Sequence, residues 1–283
     1  MPTLFVVSSG PLAGKTTIAA GIARKLAEQR VHSTLERIGD DASAATDAAL
    51  FSRLSSGGEV RIIETAAGET FAGGEGRVVV VATPAEDSAS LARVASLAGV
   101  IVNRAPPRKA DAIRAAYQAA GVKLLAAVLE DALLASPTIG QVAEALGADG
   151  ENIDANRDRP LDRPIIASIA ADPGQTYFVR TDATAVIVRS DKPDLQLAAL
   201  NAGPTCLIVT GGLPVLSYVL QRVADEEIPL LRTKLDTKEA VGAIEELFGA
   251  KPFSGGDAKL LRIAELLADV NVDVLVERSA PKA

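Results

Sequence analysis

The chain has one cysteine, Cys206, and one histidine, His32, in 283 residues. It has no tryptophan, and aromatics make up only 3%. A lone cysteine excludes an internal disulfide and fits a reducing cytoplasm. A lone histidine excludes Ser-His-Asp and Cys-His catalysis and multi-histidine metal sites. Any chemistry must rest on lysine, carboxylates, hydroxyls, backbone amides and Mg²⁺. The net charge is −7, with no basic stripe and few stacking side chains, so no nucleic-acid partner is expected. No apolar run approaches the ~20 residues of a membrane span, and no N-terminal signal pattern is present.

What the sequence does have is Ala, Val, Leu and Ile. Hydrophobic residues reach 48%, enough for a real core. Short β-branched runs alternate with amphipathic helical stretches: "TLFVV", "HSTLERI", "VRIIET", "RVVVVATP", "GVIVNRA" and "KLLAAVLE" read as strands. "SASLARVASLA" and "RKADAIRAAYQAA" read as helices, and "TIGQVAEALGA" closes the first half as a helix. Continuous apolar strands are expected in a parallel sheet with helices on both faces. "DGENIDANRDRPLDRP" is polar and proline-punctuated and reads as a boundary at about 148–163. The expected division is 1–150 and 151–283. Beyond it "PIIASIA", "TAVIVRS", "TCLIVTGG" and "IPLLRTK" predict a second, smaller α/β domain, and "GDAKLLRIAELLADV" a C-terminal helix. The tail "NVDVLVERSAPKA" fits either a continued helix or a last strand.

The densest signal is "SSGPLAGKTT", behind a strand and ahead of a helix. A strand, a glycine-rich turn and a helix start make an anion site from backbone N–H groups and the helix dipole. Gly10 and Gly14 allow the backbone to approach closely. Lys15 can reach the β- and γ-phosphates, Thr16 can ligate Mg²⁺, and Thr17 completes the cradle. Ser9 stands where the strict motif asks for glycine, and Gly10 follows one residue later. Glu64, at the end of "VRIIE", is the expected second carboxylate for Mg²⁺. Asp41 is a further metal candidate and, like Asp40, alternatively a cap for the next helix. Asn103 ends the strand "GVIVN", where ligands of open α/β sheets bind, and its amide could pair with an adenine edge. A strand ending in Thr210-Gly211-Gly212 repeats the strand–turn geometry and could hold a small anion, with Asp191 at an equivalent strand end. A simple glycine-requiring turn is the alternative.

Taken in series, "FVVSSGPLAGKTTIAAGIARKL", "RIIETAAG", "VVVVATP", "GVIVNRAPP" and "SPTIGQVAEALGA" resemble the dethiobiotin-synthetase-like P-loop domain that opens one class of phosphotransacetylases. The second half resembles the DRTGG domain that follows it there, with Asp191-Lys192 for "DR" and Thr210-Gly211-Gly212 for "TGG". The resemblance covers about 1–250. It implies a P-loop NTPase-like sheet, ATP and Mg²⁺ as cofactors, pairing into homo-oligomers, and a DRTGG module that regulates or assembles. It implies no acetyl transfer, because that catalytic domain would follow residue ~250. The loop carries no acid, "HSTLERIG" lacks the family's Lys-Pro pair and offers only Arg37, and the acid-Gly-Ala-Gly-Gly turn is replaced by Glu64-Thr65-Ala66-Ala67-Gly68. These departures favour a nucleotide-binding regulatory protein. An ATP-dependent ligase or kinase acting on a carboxylate, of the dethiobiotin synthetase or cobyrinic acid a,c-diamide synthase type, and a structural module without nucleotide remain as alternatives.

Overall fold

Valine and isoleucine crowd both faces of the strands, so each sheet must be covered twice. The computed structural model describes residues 1–68, 75–161, 164–167, 185–249 and 252–276. Its strands are β1 Thr3–Val7, β2 Ser33–Arg37, β3 Val60–Glu64, β4 Arg77–Ala82, β5 Leu97–Ala105, β6 Leu124–Leu129, β7 Asp149–Glu151, β8 Pro164–Ile166, β9 Ala185–Arg189, β10 Cys206–Thr210 and β11 Leu230–Arg232. The longer helices are α1 Lys15–Glu28, α2 Ala44–Leu54, α3 Ala110–Ala119, α4 Ile139–Ala145, α5 Pro193–Asn201, α6 Ser217–Asp225, α7 Thr237–Glu245 and α8 Asp257–Leu266. Two compact units result: Met1–Leu134 with Pro252–Ala283, and Ala135–Lys251.

The first unit is built on a parallel sheet in the order β2-β3-β1-β4-β5-β6. Alternate side chains face opposite layers. Leu4, Val6, Ile62, Val79 and Ile101 pack against Ile18, Ile22 and Leu26 of α1 and Phe51 of α2. Val78, Val80, Val100 and Val102 pack against Tyr117 of α3. From β1 the chain moves toward one edge of the sheet, and from β4 toward the other. The order therefore reverses beside β1, and the loop leaving β1 opens into the crevice at that switch point.

The second unit has the sheet order β7-β11-β10-β9-β8. β8 to β11 are parallel and β7 is antiparallel to β11. One face, with Val186, Val188, Leu207 and Val209, is covered by α5 and α6. The other, with Ile187, Ile208 and Leu231, is covered by α4 and α7. Cys206 is fully buried in β10, and burial pushes its thiol pKa up. Pro193 starts α5, as its fixed φ favours.

The division differs from the expected 1–150 and 151–283 in two places. The helix read as closing the first half, α4, packs on the second sheet, fixed at its start by a capping box between Thr138 and Gln141. The stretch read as a boundary contains β7, whose polar side chains suit an edge strand; Asp149 pairs with Arg232 across to β11 at 2.8 Å. The C-terminal helix α8 belongs to the first unit. "SASLARVASLA" also differs: only Ser88–Leu91 is helical, and Leu97 and Ala98 join β5, because Leu97 pairs with Val78. In the tail, Val272–Leu275 forms one helical turn; residues 277–283 of that expectation, and the end of "PIIASIA", lie outside the described residues.

The helix that follows the glycine-rich loop is held from behind by α8. A Cβ at Gly21 would lie 2.7 Å from Ile263 Cγ1 and 2.8 Å from Leu267 Cδ1, so the small residue sets the approach of the two helices. One turn further, Lys25 Nζ donates to the carbonyl oxygens of Leu267, Ala268 and Val270 at 2.6, 2.8 and 2.8 Å. Those carbonyls sit at the C-terminal end of α8, where helical acceptors go unmatched and a cation is favoured. Replacing Lys25 by Met should destabilise the first unit by roughly 1–3 kcal/mol, the range for a charge-assisted hydrogen-bond set. Urea unfolding monitored on that unit checks this; an unchanged midpoint would show the ammonium contributes nothing.

Candidate functional site

Gly14 ends the loop between β1 and α1 at φ +87°, a left-handed conformation that favours glycine. A second constraint acts on the same position. A Cβ there would fall 2.2 Å from Asn103 Nδ2. Asn103, buried at the carboxyl end of β5, donates through Nδ2 to Ala13 O at 2.9 Å. Arg104 donates to Leu12 O at 2.9 Å. Two neighbouring side chains thus brace the crest of the loop. On the opposite flank Gly68 N donates to Ser8 O at 3.0 Å and Thr65 N to Val6 O at 3.2 Å, so the segment after β3 lines the loop.

The brace leaves the start of α1 open. Gly14 supplies no side-chain cap, and no acid occupies the first turn. The amides of Lys15, Thr16 and Thr17 are first-turn donors, for which a helix offers no internal acceptor. Gly10 has nothing within 4 Å of the place where a Cβ would stand. Lys15 is buried, and its Nζ donates to Ser8 Oγ at 2.9 Å, while Ser8 Oγ donates to Gly10 O at 2.7 Å. Burial lowers the Lys15 pKa, opposed chiefly by Glu64. An ammonium, a helix N-terminus and open space over glycine make a cradle that fits a phosphate group.

Next to it lies a buried charge cluster. Thr16 Oγ1 donates to Glu64 Oε1 at 3.2 Å. Glu64 is only 2% exposed, and its Oε2 has no hydrogen-bond partner among the described residues. Burial, then repulsion from Asp47, pushes its pKa up to about 7. Arg37, at the end of β2, bonds to Asp41 and to Ile38 O, and its Nε lies 3.9 Å from both Asp47 and Glu64. Asp47, on α2, is equally buried and accepts from Ser43 Oγ at 2.6 Å.

The structure therefore gathers Gly10, Gly14, Lys15, Thr16, Thr17, Glu64 and Asn103 around one loop. Asn103 spends one hydrogen of its amide NH₂ on the loop, at Ala13 O. Asp41 is committed on one oxygen to Arg37 and on the other to Ser43 N and Oγ, which places it at the entry to α2. Asp40 is exposed. Among the described residues no group of three or more His, Cys, Asp or Glu side chains is placed to hold a metal. Thr16 and Glu64 are the pair that fits a divalent ion, which would take its remaining ligands from phosphate and water, as Mg²⁺ commonly does. The unmatched Glu64 Oε2 is the kind of acceptor that such an ion's water would satisfy. Ser8 and Arg104 lie within stretches that the sequence singles out and Asp47 lies in none; for all three it is their placement that gives them a role.

In the second unit Thr210 is buried, and its hydroxyl meets Thr237 Oγ1 at 2.9 Å. Gly211 and Gly212 have φ +92° and +71°, and their amides donate to Leu235 O and Thr233 O at 2.8 and 3.2 Å. The turn needs its glycines for conformation, and those two amides are not available to an anion. Asp191 is held by Arg189 through two bonds, at 2.9 and 2.6 Å; Ser190 rather than Asp191 faces the glycine turn, its Oγ accepting from Leu213 N at 3.3 Å.

The fold places the chain among α/β proteins with helix-covered parallel sheets. Within it, residues 141–247 match the DRTGG domain family, so the chain carries a DRTGG domain in its second unit. One solved structure that the chain matches holds the CBS and DRTGG domains of the regulatory region of Clostridium perfringens pyrophosphatase, complexed with its activator diadenosine tetraphosphate. It is 14% identical, over 60% of this chain and 73% of that one, with a TM-score of 0.35.

The Glu64 environment has a consequence for stability. Unfolding returns its pKa from about 7 to the ordinary 4.5. Between those values the folded state holds a proton that the unfolded state has lost. The contribution of Glu64 is therefore most favourable below pH 4.5 and declines as pH rises to about 7. Glu64→Gln should raise the stability of the metal-free protein at pH 8 and flatten the pH dependence over that window. Denaturation series in EDTA at pH 5 and pH 8 check it; a variant destabilised equally at both would refute the assignment.

Proposed function

We propose that the first unit binds ATP with Mg²⁺ through the loop from Ser8 to Thr17, and that the chain is a nucleotide-binding regulatory protein. The observation that carries this reading is the uncapped first turn of α1 with a buried Lys15 beside it. In this reading the triphosphate accepts from the Gly14–Thr17 amides and from Lys15, which leaves Ser8. Thr16 and Glu64 face the Mg²⁺, and Asn103 and Arg104 keep the loop in shape for it. Asn103, at the end of β5, pairs its amide with the edge of the adenine. The DRTGG domain serves as the responding or assembling half, in a homo-oligomer working in the cytoplasm. Supporting it is the match over residues 141–247.

A carboxylate ligase would need a cation free to clamp its substrate beside the phosphates. Arg37, the cation that the sequence offers on that side, is bound to Asp41 and lies against Asp47 and Glu64. That commitment favours binding and signalling over carboxylate activation.

Calorimetry with Mg-ATP should give saturable binding, and a ligand in 100-fold excess over Kd should add about 2.7 kcal/mol of stability. Lys15→Ala should fold and lose at least ~10-fold in affinity, as expected for a charge-assisted contact. Equal binding by wild type and variant would overturn the assignment, and turnover stimulated by an added carboxylic acid would move the reading to the ligase class.

A further inference from the structure

The second unit has a cleft of about 480 Å³ that the first unit's loop plays no part in. That size falls within the roughly 300–1,000 Å³ of small-molecule sites. The cleft lies where β10 and β11 end, at the carboxyl edge of parallel strands, the edge at which open α/β sheets bind ligands.

Its wall is already built. The glycine turn after β10 is pinned to the chain after β11 by the Gly211 and Gly212 amides. A Cβ on Gly212 would lie 3.4 Å from Lys234 Cα, so the absent side chain leaves room beside that lysine. Thr233 is buried below, its hydroxyl donating to Leu146 O at 2.8 Å. Two cations line the same strand end. Arg232 is paired through Nε with Asp149, which also lines the cleft, at 2.8 Å and lies 4.0 Å from Glu151, its side chain remaining partly exposed. Lys234 is exposed and has no acid within ion-pair distance among the described residues. Val209, Pro214 and Leu213 line the same cleft, and Leu213 is 56% exposed.

We infer that this cleft is a binding site for a nucleoside monophosphate, its phosphate on Lys234 and Arg232 and its base against Leu213 and Pro214. An unmatched lysine beside an arginine suits a phosphate monoester. The apolar side chains of the lining suit the flat face of a base. The site shares Gly212 with the turn singled out in the sequence but uses neither Asp191 nor the glycine amides.

The test is calorimetric titration of the full-length Lys15→Ala chain with AMP, adenosine and inorganic phosphate. This separates the cleft from the loop of the first unit, and the result stands whether or not that loop binds ATP. AMP should saturate, with adenosine and phosphate each at least ~10-fold weaker. Adding Lys234→Glu, and separately Leu213→Asp, should each weaken AMP at least ~10-fold with an unchanged melting temperature, both positions being exposed. No saturable AMP binding overturns the inference. Binding that survives both substitutions, or adenosine binding as tightly as AMP, overturns it equally.

Discussion

Peptide N–H groups at the start of a helix must find acceptors, and among the described residues no side chain caps those at the start of α1. Much of the first unit serves to keep them in that condition. The sheet order reverses beside β1 and opens a crevice at the loop. Gly14 turns the backbone without offering a side-chain cap. Asn103 and Arg104 take up the loop's carbonyls, and the carbonyls are the groups that would repel an anion. α8 holds the far part of α1 through Gly21 and Lys25. An electropositive helix start without a side-chain cap favours an anion, and this is what the proposed phosphate site rests on.

The neighbouring cluster has the opposite character. Asp41, Asp47 and Glu64 surround Arg37, with Lys15 on the far side of Glu64. Taking these charges out of water is unfavourable unless each is paired, and Glu64 is left with an unmatched oxygen and a raised pKa. A cation between Thr16 and Glu64 would relieve that imbalance. The same cluster closes off the arginine from a substrate. The phosphate side of the crevice is thus open and the substrate side is internally neutralised. In the proposed reading this asymmetry favours nucleotide binding over carboxylate activation.

The strands were legible because burial on both faces demands unbroken runs such as "RVVVVA" and "CLIVT", and such runs have few other uses. The loop was legible because glycine, lysine and threonine at that spacing have local reasons to be there. What could not be read is what tertiary packing decides. Asp47 looks like any polar residue on an amphipathic helix; only the fold turns it inward toward Glu64. Asn103 stands at a strand end where a ligand is expected, but that its NH₂ also donates to Ala13 O is a contact no local pattern shows. α4 and α8 fell on the wrong side of the expected boundary because helical periodicity does not say which sheet a helix covers. The polar stretch that suggested a domain boundary begins with a short edge strand, Asp149–Glu151, where polar side chains are at home.

Hydrogen exchange of the loop amides tests the central claim most directly. Amides of residues 8–17 should exchange readily in the free protein and become protected on adding Mg-ATP, with less protection in Lys15→Ala. If those amides exchange at the same rate with and without nucleotide, the first turn of α1 is not a phosphate cradle and the account fails.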